Sequence, residues 1–163
     1  MKLSTFGTRR RGAQALVEFT LVVPILFLLL LGILDFGRVG FYYVASAGLA
    51  RTAARYGAAY NDGIGFTNAQ MVAYVKQQSD AATMGNLTQP AACGTSTPPS
   101  PLTACYQPPV GQTYIFIDRS NFSTIPKFIK VSIIYHFEPT TPMIRAIFPT
   151  YYLVSTASME TEF

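Results

Sequence analysis

Apolar side chains follow two patterns along this chain, continuous near the N-terminus and alternating near the C-terminus. Residues 19–34, FTLVVPILFLLLLGIL, contain no charged side chain, and residues 13–17 extend this run across Glu18. A bilayer core of about 30 Å needs roughly 20 mostly apolar residues in a helix. Residues 13–34 meet this length, so the pattern predicts one transmembrane helix.

Polar and aromatic residues frame this predicted helix. Asp35 and Arg38 mark its far boundary, and residues 41–43 are aromatic, as is common where a helix meets the membrane surface. Residues 9–11, on the near side, are all arginine. Because loops rich in arginine stay in the cytoplasm, we expect everything after the helix to be exported.

A cleaved secretory signal peptide is the alternative interpretation. A charged region, an apolar region and an A-x-A site at residues 45–47 all fit that class. However, the apolar run is longer than the usual signal-peptide core of about 7–15 residues. About ten residues also separate the run from that site. The pattern therefore favours a retained anchor.

The helix is expected to continue beyond the membrane. Residues 42–60 contain no proline and are rich in alanine, so a spine helix over 15–60 would be roughly 70 Å long. Residues 61–63, Asn-Asp-Gly, predict a turn. A second, shorter helix follows, with Thr67 or Asn68 as its cap, and runs to about residue 79.

A proline-rich segment interrupts the regular pattern at residues 85–111. It holds six of the 11 prolines, which predicts a loop without a ladder or a helix. It also holds Cys93 and Cys105, plausible disulfide partners in an exported domain, whose bond would stabilise the fold by about 3 kcal/mol. Two free thiols in a reducing compartment are the alternative. Two thiols and the distant His136 do not make a metal site.

The alternating pattern begins after this loop. Residues 114–118, 128–137 and 151–160 are rich in β-branched and aromatic side chains and predict three strands. The segment 139–149 would connect the last two strands as a long hairpin. One face of the middle strand carries Ile129, Val131, Ile133, Tyr135 and Phe137. We therefore predict an α+β fold, in which a small antiparallel sheet of about three strands packs on the extramembrane half of the spine helix.

Charge and composition argue against other classes of protein. Lys2 and the arginines at 9–11 precede the apolar run, and the remainder has eight basic and eight acidic residues, which gives nucleic-acid binding little support. The single histidine has no accompanying nucleophile motif, and no phosphate-binding loop occurs. We expect neither an enzyme nor a cofactor.

The N-terminal string RRRGAQALVEFTLVVPILFLLLLGILDFGR, residues 9–38, resembles the start of TadE-like proteins. These are minor pilins or pseudopilins of the tight-adherence (Flp) pilus assembly system. Residues 45–58 resemble the helix that continues that family's anchor, and residues 129–142 more loosely resemble its last strand and hydrophobic loop. The matching motif elements are Arg9 to Arg11, Gly12 or Ala13, Glu18 with Phe19, Pro24, and Asp35 to Arg38.

The resemblance implies that a prepilin peptidase removes a basic leader. Cleavage after Ala13 would make Gln14 the first residue and keep the family's spacing to Glu18. Cleavage after Gly12 would keep the usual glycine but add one residue to that spacing. The recognised positions would be Gly12, Ala13, Gln14, Glu18 and Phe19.

The resemblance also gives Glu18 a role. A carboxylate within an apolar helix costs about 2.5–3.5 kcal/mol on insertion scales, which makes it a functional candidate. In related pilins this glutamate is thought to pair with the new N-terminal amine of a neighbouring subunit. The alternative is an edge charge near Arg11 without a role. Pro24 predicts a helix kink.

Taken together, the sequence predicts a leader at 1–13, a transmembrane helix at 14–40 and an exported head at 41–163. The resemblance implies a pseudopilin-like assembly component, held in the cell membrane with its N-terminus in the cytoplasm. Its partners would be the lipid bilayer, other pilin-type subunits, the inner-membrane assembly machinery and the prepilin peptidase. The alternative function is a single-pass membrane protein whose exported head binds a ligand and never enters a filament.

Overall fold

The elements of this protein follow one another as a long helix, a short helix and a sheet. The computed structural model describes residues 7–59, 67–79, 84, 86–90, 93, 97–119 and 127–161. Its helices and strands, in chain order, are α1 (Gly7–Ala59), α2 (Asn68–Gln78), β1 (Leu87–Thr88), β2 (Thr113–Asp118), β3 (Lys127–Phe137), α3 (Pro142–Ile147) and β4 (Tyr151–Thr161).

Helix α1 contains both the apolar run and the alanine-rich segment. It is 53 residues long, close to 80 Å at about 1.5 Å per residue. Pro24 lies within it, yet the helix continues to Ala59. The predicted spine helix is therefore confirmed up to Ala59, while residue 60 and the predicted turn at 61–63 lie outside the described residues.

Helix α2 begins with a capping box. The Gln70 backbone N–H donates to Thr67 Oγ1 over 3.3 Å, and the Thr67 N–H donates to Gln70 Oε1 over 2.9 Å. These bonds satisfy donors that have no partner inside the helix. The predicted second helix and its cap at Thr67 are confirmed.

The sheet has the order β1-β2-β3-β4, and its last three strands are antiparallel neighbours. The α+β class and the three long strands are confirmed. The prediction that 85–111 holds neither a ladder nor a helix was wrong, because β1 pairs in parallel with β2, and Ala104–Tyr106 form a 3-10 turn. Leu87 and Thr88 precede the prolines of this segment that remove backbone donors.

The connection between β3 and β4 also contains more structure than a hairpin loop. Pro142 occupies the first turn of α3, a position where its missing N–H costs nothing. Thr141 is the N-cap residue. Because α3 has only six residues, its sequence is too short to show the repeat of apolar positions that indicates a helix.

The core forms where the second half of α1 meets one face of the sheet, as predicted. Ala50, Ala53 and Ala54 are each at most 1% exposed, and their small side chains let the sheet approach the helix closely. Met71 and Val75 of α2 close this core from the side. The strand residues in the cluster are Ile115, Ile117, Ile129, Val131 and Ile133.

The opposite face of the sheet is partly buried as well. Ile134 and Phe116 pack with Tyr106, and Cys93 and Leu102 of the proline-rich segment cover them. Alternation along β3 had predicted one apolar face only. The second face is buried because a distant segment folds over it, which no local pattern can indicate.

Candidate functional site: the end of the apolar segment of the spine helix

The most apolar part of α1 is not buried by any of the residues that the structure describes. Within the described residues, Ala13–Ala59 is a single helix that is both long enough and apolar enough to cross a membrane. None of its most apolar window is buried. The core helix of a soluble protein would bury such a surface. Exposed side chains such as Leu21, Phe27 and Ile33 are therefore suited to lipid.

Glu18 lies on this exposed half, one helical turn after Gln14. The Gln14 Nε2 group donates to Glu18 Oε1 over 3.5 Å, so the structure brings these two predicted residues together. Ala13 and Phe19 are exposed beside them, and Gly12 lies in the helix. Peptidase recognition, pairing between subunits and a kink at Pro24 stay predictions.

Asp35, at the end of the apolar segment, is 4% exposed. Its Oδ1 atom accepts the Thr140 backbone N–H over 3.2 Å, and its Oδ2 atom accepts the Thr141 N–H over 2.9 Å. The Arg38 guanidinium lies 3.4 Å from Oδ1. This one carboxylate therefore ties α1 to the segment that leads into α3.

Helix α3 itself lies against the last turn of the apolar segment. A Cβ atom at Gly32 would lie 3.9 Å from Ile144 Cδ1, an ordinary packing distance. Thr141 Oγ1 donates to the Leu31 carbonyl over 3.5 Å. The head thus contacts α1 within the apolar run as well as beyond it.

Arg38 lies at the centre of this junction. It donates to Thr140 Oγ1 and lies over the Phe137 ring, 5.4 Å from the ring centroid. The sequence indicates that the acidic-Phe-Gly-Arg motif at 35–38 is a boundary marker and part of the N-terminal motif. Its contacts with Thr140 and Thr141 were not predictable, because these partners lie more than 100 residues away in sequence.

A cavity of about 350 Å³ opens between α1, α3 and the start of β4. Its lining is almost entirely apolar, with Asp35 at one edge. The apolar lining includes Phe36, Val39, Phe137, Ile144, Ile147 and Phe148.

Two contacts above this cavity hold the sheet on α1. The rings of Tyr42 and Tyr135 stack with centroids 4.6 Å apart, and Ser46 and Ser155 share a buried hydrogen bond of 2.6 Å. Burial, aided by a hydrogen bond with Tyr42, raises the pKa of Tyr135 to about 12. The Tyr135 hydroxyl thus stays neutral at physiological pH.

The two cysteines form the predicted disulfide. Cys93 and Cys105 are bonded, with their Cα atoms 5.6 Å apart, which is ordinary disulfide geometry. His136 Nδ1 lies 2.8 Å from the Pro108 carbonyl oxygen, so this histidine has a structural partner. The described residues contain no cluster of three or more potential metal ligands.

Comparisons with known proteins fit this picture at the N-terminus. The search of curated proteins gave no significant match, and neither did the search of solved structures. The family described as TadE-like protein matches residues 13–55, about a quarter of the chain. The matched span contains the apolar segment, Glu18, Asp35 and Arg38. The resemblance to TadE-like proteins that the N-terminal motif carries is therefore confirmed over this span.

Proposed function

We propose that this chain is a membrane-anchored, pseudopilin-like assembly component of a tight-adherence pilus. The match of residues 13–55 to TadE-like proteins carries the proposal. The unburied apolar half of α1 supports it, since pilin-type subunits associate through such helices. The chain would have a leader at 1–13, an anchor at 14–40 and a head at 41–163.

The proposed orientation places the N-terminus in the cytoplasm and the head outside. The arginines at 9–11 support it, because such residues resist transfer across the membrane. The Cys93–Cys105 disulfide also supports it, since disulfides persist in oxidising compartments outside the cytoplasm.

Glu18 would set the register between subunits. Once a prepilin peptidase has removed the leader, Gln14 or Ala13 would carry a free amine about one helical turn from Glu18. A carboxylate unpaired in lipid is unfavourable by several kcal/mol, and pairing with an amine offsets part of this. Pairing between staggered neighbours would therefore favour one relative height of two α1 helices.

Because Asp35 joins α1 to the head, the relative height of two α1 helices would also set the relative height of their heads. Two backbone hydrogen bonds join Asp35 to residues 140 and 141, and Ser46 joins Ser155. A shift of one α1 helix along another would consequently shift the attached heads by the same amount. The head would be positioned by helix packing and need no catalytic group of its own.

The test combines the native N-terminus with a charge-removing variant. Mass spectrometry of the membrane-assembled protein should find Gln14 or Ala13 first. Glu18→Gln should insert, fold and be cleaved normally, but crosslink less to other pilin-type subunits. Glu160→Gln, the same change at an exposed position of β4, is the matched control and should crosslink as the native chain does.

Two results would contradict this proposal at different points. Recovery of intact peptides from Met1 to Arg11 would remove the processing step and favour an anchored head that binds a ligand outside any filament. If Glu18→Gln is cleaved and crosslinks as well as the native chain, then Glu18 has no part in assembly.

A further inference from the structure

The apolar surface formed by α3, Phe148 and Tyr151, here called the α3 surface, has no protein cover within the described residues. We propose that the α3 surface lies in the interfacial layer of the same bilayer that α1 spans. The head would then contact the membrane and not stand clear of it on the helix. This inference rests on the proposed membrane anchoring of α1.

The height of α3 along α1 is the first argument. The N-cap residue of α3, Thr141, hydrogen-bonds to Leu31 and Asp35, and Ile144 of α3 lies beside Gly32, all at the end of the apolar run. With about 1.5 Å of rise per residue, Leu31 lies only about 6 Å below Asp35 along the helix axis. Amphipathic helices in the interface bury their apolar side by about 5–10 Å. The depth of α3 is therefore the depth at which such helices lie.

The side chains of the α3 surface are the second argument. Large apolar side chains that are mostly solvent-exposed and lie side by side usually mark a contact with a membrane or a partner. Aromatic residues next to aliphatic ones are common at the membrane interface. The exposed fractions are 56% for Met143, 66% for Ile147, 59% for Phe148 and 54% for Tyr151.

The charges beside the α3 surface are compatible with this position. Glu138 forms an ion pair with Arg145, and Asp35 is paired with Arg38. The Arg145 side chain is 61% exposed, so its long aliphatic stem can lie along lipid while the guanidinium reaches the headgroups. The charged side chains that would lie near the lipid headgroups are therefore paired with one another.

The cavity beside α3 gives the lipid a place to pack. It has a volume of about 350 Å³ and opens between α1 and α3, at the level of Phe36 and Ile144. A lipid acyl chain running along α1 would meet this apolar opening at the upper end of the bilayer. A pilin-type helix could also fill it. However, α3 lies at the height of the apolar run of α1, which favours lipid.

The absence of tryptophan from the sequence allows a direct test of depth. The full chain is placed in phosphatidylcholine vesicles whose lipids carry bromine near the headgroup or near the chain end. Single-tryptophan variants then report their depth through fluorescence quenching. The reporter is Phe148→Trp, with Phe27→Trp as the control for the anchor. Phe128→Trp serves as the control for water, since Phe128 lies about 30 Å along β3 from Phe137.

We expect Phe148→Trp to be quenched more strongly by bromine near the headgroup than by bromine near the chain end, because interfacial helices lie only about 5–10 Å deep. Phe27→Trp should be quenched most by bromine near the chain end, and Phe128→Trp by neither. If Phe148→Trp lowers the thermal midpoint, Ile147→Trp takes its place at the same surface.

The controls separate the failure of this inference from the failure of the anchor. An unquenched Phe148→Trp beside a quenched Phe27→Trp overturns the inference and leaves the anchor intact. If neither is quenched, membrane anchoring itself is wrong and the inference falls with it. An unquenched reporter that crosslinks to a second copy assigns the α3 surface to a protein contact, which also overturns the inference.

Discussion

Asp35 joins α1 to the segment that leads into α3. A carboxylate near the end of an apolar helix normally stays in water, but this one is buried and both of its oxygens accept backbone N–H groups. A buried acceptor shared by two donors is costly to remove, because both donors then lose their partner. The contacts at Asp35 therefore help to hold the start of α3 against α1.

Replacement of Asp35 by asparagine tests this role with almost no change in shape. The new side chain would keep one oxygen, but its amide nitrogen would face the second backbone N–H, so two donors would meet. We expect a loss of stability of about 1–3 kcal/mol, and faster hydrogen exchange at residues 138–148. Thermal unfolding and hydrogen–deuterium exchange in micelles would measure these two effects.

The matched control for this change is Glu160→Gln, at an exposed site on β4. It should shift stability by no more than about 0.5 kcal/mol and leave exchange in α3 unchanged. If Asp35→Asn behaves like this control, the carboxylate does not hold α3 and the apolar contact with Gly32 must suffice.

At the scale of elements, sequence patterns predicted the helices and strands that are determined by residues close to one another in sequence. The apolar run, the cap at Thr67 and the alternation in β3 each act within a few residues, and the structure contains the corresponding helices and strand. Helix α3 and strand β1 were missed, since six and two residues are too few to show a period. The Thr141-Pro142 pair was the available signal for α3, because a capping residue before proline often opens a helix.

The junction of α1, α2 and β3 depends on the absence of a side chain at Gly57. A Cβ atom there would lie 2.8 Å from Met71 Cε and closer still to Ile129 Cδ1. Met71 and Ile129 are fully buried, so the ends of both side chains would have to shift within the core to make room.

Gly57→Ala should therefore destabilise the head, by about 1–3 kcal/mol, as overpacking of a core usually does. Gly48→Ala is the matched control on the same helix, since a Cβ atom there would meet nothing within 4 Å. The control should be neutral, or stabilising by up to about 1 kcal/mol, because alanine favours helix over glycine. Equal thermal midpoints for the two variants would show that the junction can relax around the added methyl group.

At the scale of the whole molecule, the two faces of the sheet are covered in different ways. Helix α1 covers one face through alanines, while the other face is covered by the proline-rich segment that the disulfide closes. This segment contains only a two-residue strand and one 3-10 turn within the described residues. We therefore expect the disulfide to contribute to holding it over Phe116 and Ile134.

Loss of the disulfide should expose that second face and leave the anchor unaffected. In a variant with both Cys93→Ser and Cys105→Ser, we expect stability to fall by about 3 kcal/mol, the entropy of a loop of roughly a dozen residues. Binding of a hydrophobic dye should rise as Phe116 and Ile134 become accessible. Insertion of α1 should not change, because none of the most apolar window of that helix is buried by the described residues. The native chain with and without reductant is the control: reductant should reproduce the variant's midpoint and have no effect on the variant itself. A reduced native chain with an unchanged midpoint and unchanged dye binding would show that packing of Tyr106 and Leu102 holds the segment without the bond.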